Sequence, residues 1–131
     1  MELAEYVPLD CPPKSAKPTN GVLFRMARKI PIADSEFVPQ LVKKGADQFP
    51  IEDHCKASGL SVYVSEQDAR KAIEDAARIN PLARKSVVVK AVVDAQWGLI
   101  APTPKNGNSH HTWWVPKGKT PGELFELVVS V

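Results

Sequence analysis

The sequence is poor in cysteine, aromatic residues, clustered glycine and net charge, and each shortage closes off a class of function. Cys11 and Cys55 are its two cysteines in 131 residues, too few for a small scaffold stapled by disulfides. Cysteine usage of this kind points to a reducing, cytoplasmic setting. No apolar run approaches the roughly 20 residues that span a bilayer, so no membrane partner is expected. Met1-Glu2-Leu3-Ala4-Glu5 is acidic and lacks the apolar stretch of a signal peptide. Seventeen Lys and Arg face fifteen Asp and Glu, for a formal charge of +2. The basic pairs Arg28-Lys29, Lys43-Lys44, Arg70-Lys71 and Arg84-Lys85 are short, and acidic residues sit near most of them. They do not form the linear stripe that neutralises phosphates in a nucleic-acid binder. Nucleic acid is not an expected partner, unless folding assembles such a stripe from separate pairs.

Motifs that carry chemistry are sparse as well. The metal-ligand candidates are Cys11, His54, Cys55, His110 and His111. On a strand, adjacent side chains point to opposite faces, so neither His54-Cys55 nor His110-His111 can offer both members to one ion. There is no C-x-x-C and no H-x-x-x-H, and no metal is expected. No G-x-S-x-G elbow surrounds Ser61, and Cys55 reads as a small, half-buried residue. The seven glycines are dispersed, and Lys117-Gly118-Lys119-Thr120-Pro121-Gly122 lacks the spacing of a phosphate loop.

What the chain does have is apolar content and proline. Hydrophobic residues make up 44% of it, enough with this low charge to oppose disorder. Its length suits one domain that buries roughly two thirds of its unfolded surface. Proline occurs 12 times in 131 residues, against a usual ~5%. Pro8, Pro12, Pro13 and Pro18 crowd the start, so residues 1–20 read as a Pro-rich extended arm. That arm either lies on the domain or hangs free. Residues 21–131 read as a single α+β domain: a mostly antiparallel β-sheet with two packed helices.

The elements follow from local pattern. Val22–Ala27 alternates as a strand. Asp34 or Ser35 starts a predicted helix running to Lys44, with Phe37, Leu41 and Val42 inward and Gly45 as its terminator. Gly59–Ser65 alternates as a strand. Ser65 then caps a helix whose stripe is Ala69, Ala72, Ile73, Ala76 and Ala77, ended by Asn80-Pro81. Glu66 with Arg70 and Glu74 with Arg78 form i,i+4 pairs on its outer side. Lys85–Asp94 is β-branched on both faces, as a buried central strand is. Gly98–Ala101, His110–Val115 and Phe125–Val131 complete a predicted antiparallel meander, with a tight turn at Asn106-Gly107. Phe125, Leu127, Val129 and Val131 are expected to face inward. The closing strand offers an edge to a second copy, so a homodimer is open.

Two of three tryptophans stand together in Ser109-His110-His111-Thr112-Trp113-Trp114. Alternation puts His110, Thr112 and Trp114 on one face and His111, Trp113 and Val115 on the other. One tryptophan and one histidine are then available to a cleft, a helix or solvent. Both belong equally well to the core. His110, His111, Trp113 and Trp114 are the candidate recognition residues, tryptophan being frequent at binding hot spots. A histidine among them can titrate near neutral pH.

Leu23-Phe24-Arg25, then Gly59-Leu60-Ser61-Val62-Tyr63-Val64-Ser65, then the Ala69 helix resemble, in that order, the ADP-ribosyltransferase fold. The resemblance covers about half the chain. It implies an NAD-handling site in which Arg25 anchors phosphate, Tyr63 or Ser65 meets the nicotinamide, and Glu123 or Glu126 polarises the ribose. Strand alternation also groups Arg25, Ser61, Tyr63 and Ser65 as the lining of one polar crevice.

Two functions are therefore expected in contrast. One is a small cytoplasmic binding or interaction domain with no cofactor, a Trp- and His-bearing surface and a protein partner. The other is an ADP-ribosyltransferase-like enzyme using NAD, a nucleotide ligand, through Arg25, Tyr63 and Glu126. The enzyme needs those three residues around one pocket.

Overall fold

The computed structural model describes residues 1–105 and 108–128. The turn expected at Asn106-Gly107 and the inward Val129 and Val131 lie outside the described residues. Alternating apolar residues build one seven-stranded sheet. Its strands are β1 (Lys17–Pro18), β2 (Gly21–Ala27), β3 (Leu60–Tyr63), β4 (Val87–Val93), β5 (Leu99–Pro102), β6 (His110–Trp114) and β7 (Glu126–Leu127). The order is β1-β5-β6-β3-β2-β4-β7, with every neighbouring pair antiparallel. The architecture is α+β. The four last strands do not form a meander: β5 pairs with β6 but not with β4, β4 pairs with β2 and β7, and β6 pairs with β3. The reason is the β2–β4 ladder, which runs from Gly21↔Val93 to Ala27↔Val87 and takes one whole edge of β4, while β7 takes the other. Among the described residues the edge strands, β1 and β7, are two residues each, a short template for a second copy.

Both faces of the sheet are covered. On one, Leu23, Ala27, Leu60, Val62, Val89 and Trp113 form the main core with Phe125, under Ile32, Phe37, Trp97 and Leu124. On the other lies the longest helix. Three α-helices occur among the described residues: α1 (Gln40–Lys44), α2 (His54–Ala57) and α3 (Glu66–Ile79). Ala69, Ala72 and Ile73 of α3 pack on Tyr63, Val88 and Phe24, the small alanines letting the helix sit close. The Ser65 hydroxyl accepts the Asp68 N–H at 3.3 Å, the expected N-cap. Glu66 pairs with Arg70 at 2.8 Å. Arg78 lies 3.8 Å from Asp75, one residue along from the predicted Glu74.

The first predicted helix is broken. Asp34–Phe37 is one 3-10 turn, Val38 and Pro39 are extended, and only then does α1 begin. Pro39 disfavours helical geometry at Val38 and has no N–H to donate. Gly45 ends α1 at φ 94°, donating its N–H to the Leu41 carbonyl.

The N-terminal arm lies along the domain. Its β1 pairs with β5, Lys117 N–H donates to the Glu2 carbonyl at 2.9 Å, and the Lys117 ammonium pairs with Glu5. Cys11 and Cys55 are joined in a disulfide across 44 positions. Cys55 is half-buried as expected but bonded, which removes the cysteine argument for a reducing compartment. The bond ties the arm to α2, beside Trp114. Closing a loop of that length restricts the unfolded chain by up to about 4 kcal/mol. We predict that replacing both cysteines by serine lowers stability by about 2–4 kcal/mol in denaturant, measured under oxidising conditions. An unchanged midpoint contradicts the tether.

Candidate functional site

The sheet register decides which candidate residues meet. Phe24 sits opposite Tyr63, so these two share a face. Arg25, next along β2, leaves from the other face with Leu23 and Ala27. Lys90 sits opposite Phe24 and Glu126 opposite Lys90. Glu126 therefore shares the face of Tyr63 but lies three strand spacings away, roughly 14 Å at ~4.8 Å each. It borders a separate concavity of about 480 Å³ with Val22, Phe24 and Lys90. Glu126 is thus kept apart from Arg25 and Tyr63, which line one cleft. Of the expected crevice of Arg25, Ser61, Tyr63 and Ser65, the first three line that cleft, with Arg25 meeting the Ser61 carbonyl, while the Ser65 hydroxyl is committed to capping α3.

The tryptophans are structural. Trp113 is fully buried and donates from Nε1 to the Trp97 carbonyl at 2.8 Å. Trp114 is 2% exposed and donates to the Cys55 carbonyl and Ser58 hydroxyl, both at 3.2 Å. Alternation does send the two indoles to opposite faces, but each face is covered, Trp113 by the main core and Trp114 by the segment around α2. Trp113, Trp114 and His110, expected to form a recognition surface, are therefore all buried. His110 is 3% exposed, edge-on to Tyr63 with ring centroids 5.4 Å apart. Its Nδ1 lies 2.8 Å from the Thr103 carbonyl, which only accepts, so Nδ1 carries the proton. Nε2 is buried without a partner among the described residues. His111 is half-buried, with Nδ1 2.7 Å from the Ser109 carbonyl.

The concave site arises where the sheet ladder opens. β2 pairs with β4 along its whole length but with β3 at one position, Phe24↔Tyr63. Beyond it the strands diverge and the Arg25 side chain fills the gap. Nη1 donates to the Ser61 carbonyl at 2.5 Å and Nη2 to the Glu36 carbonyl at 2.6 Å. The guanidinium lies over the Phe37 ring, 5.4 Å from its centroid. A side chain thus supplies donors where a strand would have supplied N–H groups. Arg25 Nε has no partner and Arg25 forms no ion pair among the described residues. Glu36 is close enough to act on it, but the Glu36 carboxylate accepts the Arg28 N–H at 3.1 Å. Burial pushes the Arg25 pKa down to about 10, against the opposing pull of Glu36 and Tyr63. Burial also raises the Tyr63 hydroxyl, with Asp68 and Asp75 adding to it.

Around this gap lies a cleft of about 630 Å³. Arg25, Arg28, Lys43, Lys85 and Lys105 line it, with Glu36 as the one carboxylate among the described residues. Met26, Val38 and Leu82 contribute apolar wall. Four of the five cations are not visible as a site in the sequence. Three of them belong to the short basic pairs at 28, 43 and 84 and Lys105 stands alone, each innocuous by itself, and the fold brings them to one opening. No group of three or more His, Cys, Asp or Glu among the described residues can hold a metal, and none of the described helices is long and apolar enough to cross a membrane.

No family model, curated protein or solved structure matches the chain.

His110 makes the pH dependence of stability predictable. Burial lowers its pKa below the ordinary 6.5, with the Thr103 hydrogen bond opposing. As pH falls, the unfolded chain takes up this proton before the folded one. The stability it confers is full above 6.5 and declines progressively below it, down to the lower folded value. We predict a falling denaturation midpoint from pH 7 to pH 5 that is shallower in His110→Gln; equal slopes contradict the assignment.

Proposed function

We propose that this protein is a binding domain whose ligand site is the cleft between β2 and β3, and that it is not a transferase. The observation that carries the reading is the opened ladder. A sheet that breaks its own pairing, and holds the break with an arginine, presents a cavity within the usual ~300–1,000 Å³ of small-molecule sites. Departures from regular local structure are expected at functional or strained sites. The separation of Glu126 from Arg25 and Tyr63 supports binding over transfer, because the carboxylate that the resemblance assigns to the ribose lies outside the cleft. The burial of Trp113 and Trp114 supports a small ligand over a protein partner, because neither indole is free to dock. The Cys11–Cys55 bond fits an oxidising compartment, where disulfides persist.

The test is a fragment screen by amide-resolved NMR on the full chain. The expected result is that shifts cluster at Arg28, Glu36, Ser61 and Ser86, and that Ser61→Trp abolishes them. Ser61 is exposed on β3, so the added indole enters the cleft without entering the core. Shifts confined to the Glu126 concavity or to the arm contradict the reading.

A further inference from the structure

We propose that the cleft takes a phosphate monoester carrying an apolar body; the inference rests on the cleft being the ligand site. The first observation is charge. Five cationic residues and one carboxylate line the cleft, an excess of four. The whole chain has a formal charge of only +2, so the remainder of the molecule is net negative. The positive charge is concentrated rather than spread, and the cations come from β2, the residue just past it, α1, the turn before β4 and the loop before β6. Such a wall with low-dielectric sides focuses field into the opening and raises the local concentration of anions.

The second observation is Arg25 itself. A desolvated guanidinium ordinarily lies against a carboxylate or a phosphate. Here it touches two carbonyl dipoles, keeps Nε unpartnered, and has no acid in ion-pair range among the described residues. An anion in the cleft supplies the counter-charge that the guanidinium lacks. The excess of four favours a dianion over a carboxylate's single charge. Charge concentrated on one terminal group favours a monoester over a diester, whose charge is spread along a chain. Planar guanidinium forks match phosphate oxygens in pairs, and the lysines add mobile point charges.

The third observation is the apolar wall. Leu82 lines the cleft and is 70% exposed, and Met26 and Val38 stand with it. A sugar phosphate leaves these side chains wet, whereas an aromatic or acyl body covers them.

The experiment is calorimetric titration of the full oxidised chain at pH 8 with five probes. These are phenyl phosphate, inorganic phosphate, benzoate, glucose 6-phosphate and NAD. The expected order puts phenyl phosphate at least tenfold tighter than each of the others, with affinity falling as salt rises. The double variant Arg28→Glu, Lys85→Glu changes two exposed side chains outside the sheet, and is expected to weaken phenyl phosphate at least tenfold with its circular dichroism unchanged. Benzoate binding equally well overturns the dianion. Glucose 6-phosphate binding equally well overturns the apolar body, and NAD binding more tightly overturns the monoester. Phenyl phosphate that binds without sensitivity to the double variant overturns the site. If no phosphate binds but neutral fragments still shift cleft amides, the ligand class falls and the cleft reading stands. If nothing perturbs the cleft, both fall.

Discussion

One arginine stands in for a missing stretch of β-ladder. Arg25 extends from β2 into the space where β3 should continue pairing, and its two terminal nitrogens hold the Ser61 and Glu36 carbonyls. Two consequences follow from that contact. The Ser61 carbonyl on β3 keeps a partner where the β2–β3 pairing stops. The segment carrying Glu36 and Phe37 is drawn onto the sheet, and Phe37 then stacks with Phe125 at a centroid distance of 5.2 Å. Core closure on that face and cleft opening at its border are thus two results of one interaction.

The other constraints keep this arrangement rigid. The α3 helix covers the opposite face through Ala69 and Ala72, and its C-terminal end at Asn80 forms one rim of the cleft. The Asn80 side chain accepts the Leu82 N–H at 3.1 Å, which starts the turn carrying Leu82 and Lys85. The disulfide holds the arm at the far side of β6, where Trp114 reaches the α2 segment. Gly98 stands against that same strand at φ 113°, and a Cβ there would lie 2.0 Å from the Trp114 carbonyl oxygen.

Elements set by near neighbours along the chain are legible in the amino-acid sequence. The α3 helix, its Ser65 cap and its alanine stripe follow from a 3.6-residue period and a local hydrogen bond. The strand faces of β2, β3 and β6 follow from alternation. What alternation cannot supply is phase between strands. Arg25 and Tyr63 each lie on the face opposite their bulkier neighbours or companions, and nothing local says that Phe24, rather than Arg25, meets Tyr63. The tryptophans show the same limit, since opposite faces do not imply that one of them is open. The 34–44 segment has helical apolar spacing, and Pro39 overrides it. The Cys11–Cys55 pairing and the gathering of Arg28, Lys43, Lys85 and Lys105 are both products of distant chain segments meeting.

The central claim is that the opening beside Arg25 is an anion site built by the fold. The most direct test is a crystal structure grown with tungstate, a tetrahedral dianion whose anomalous scattering marks its position. The account predicts a tungstate peak inside the cleft, within hydrogen-bonding reach of Arg25 or of the Lys85 and Lys105 side chains. Tungstate found only at exposed lysines elsewhere, such as Lys117 beside the arm, with the cleft empty, would contradict it.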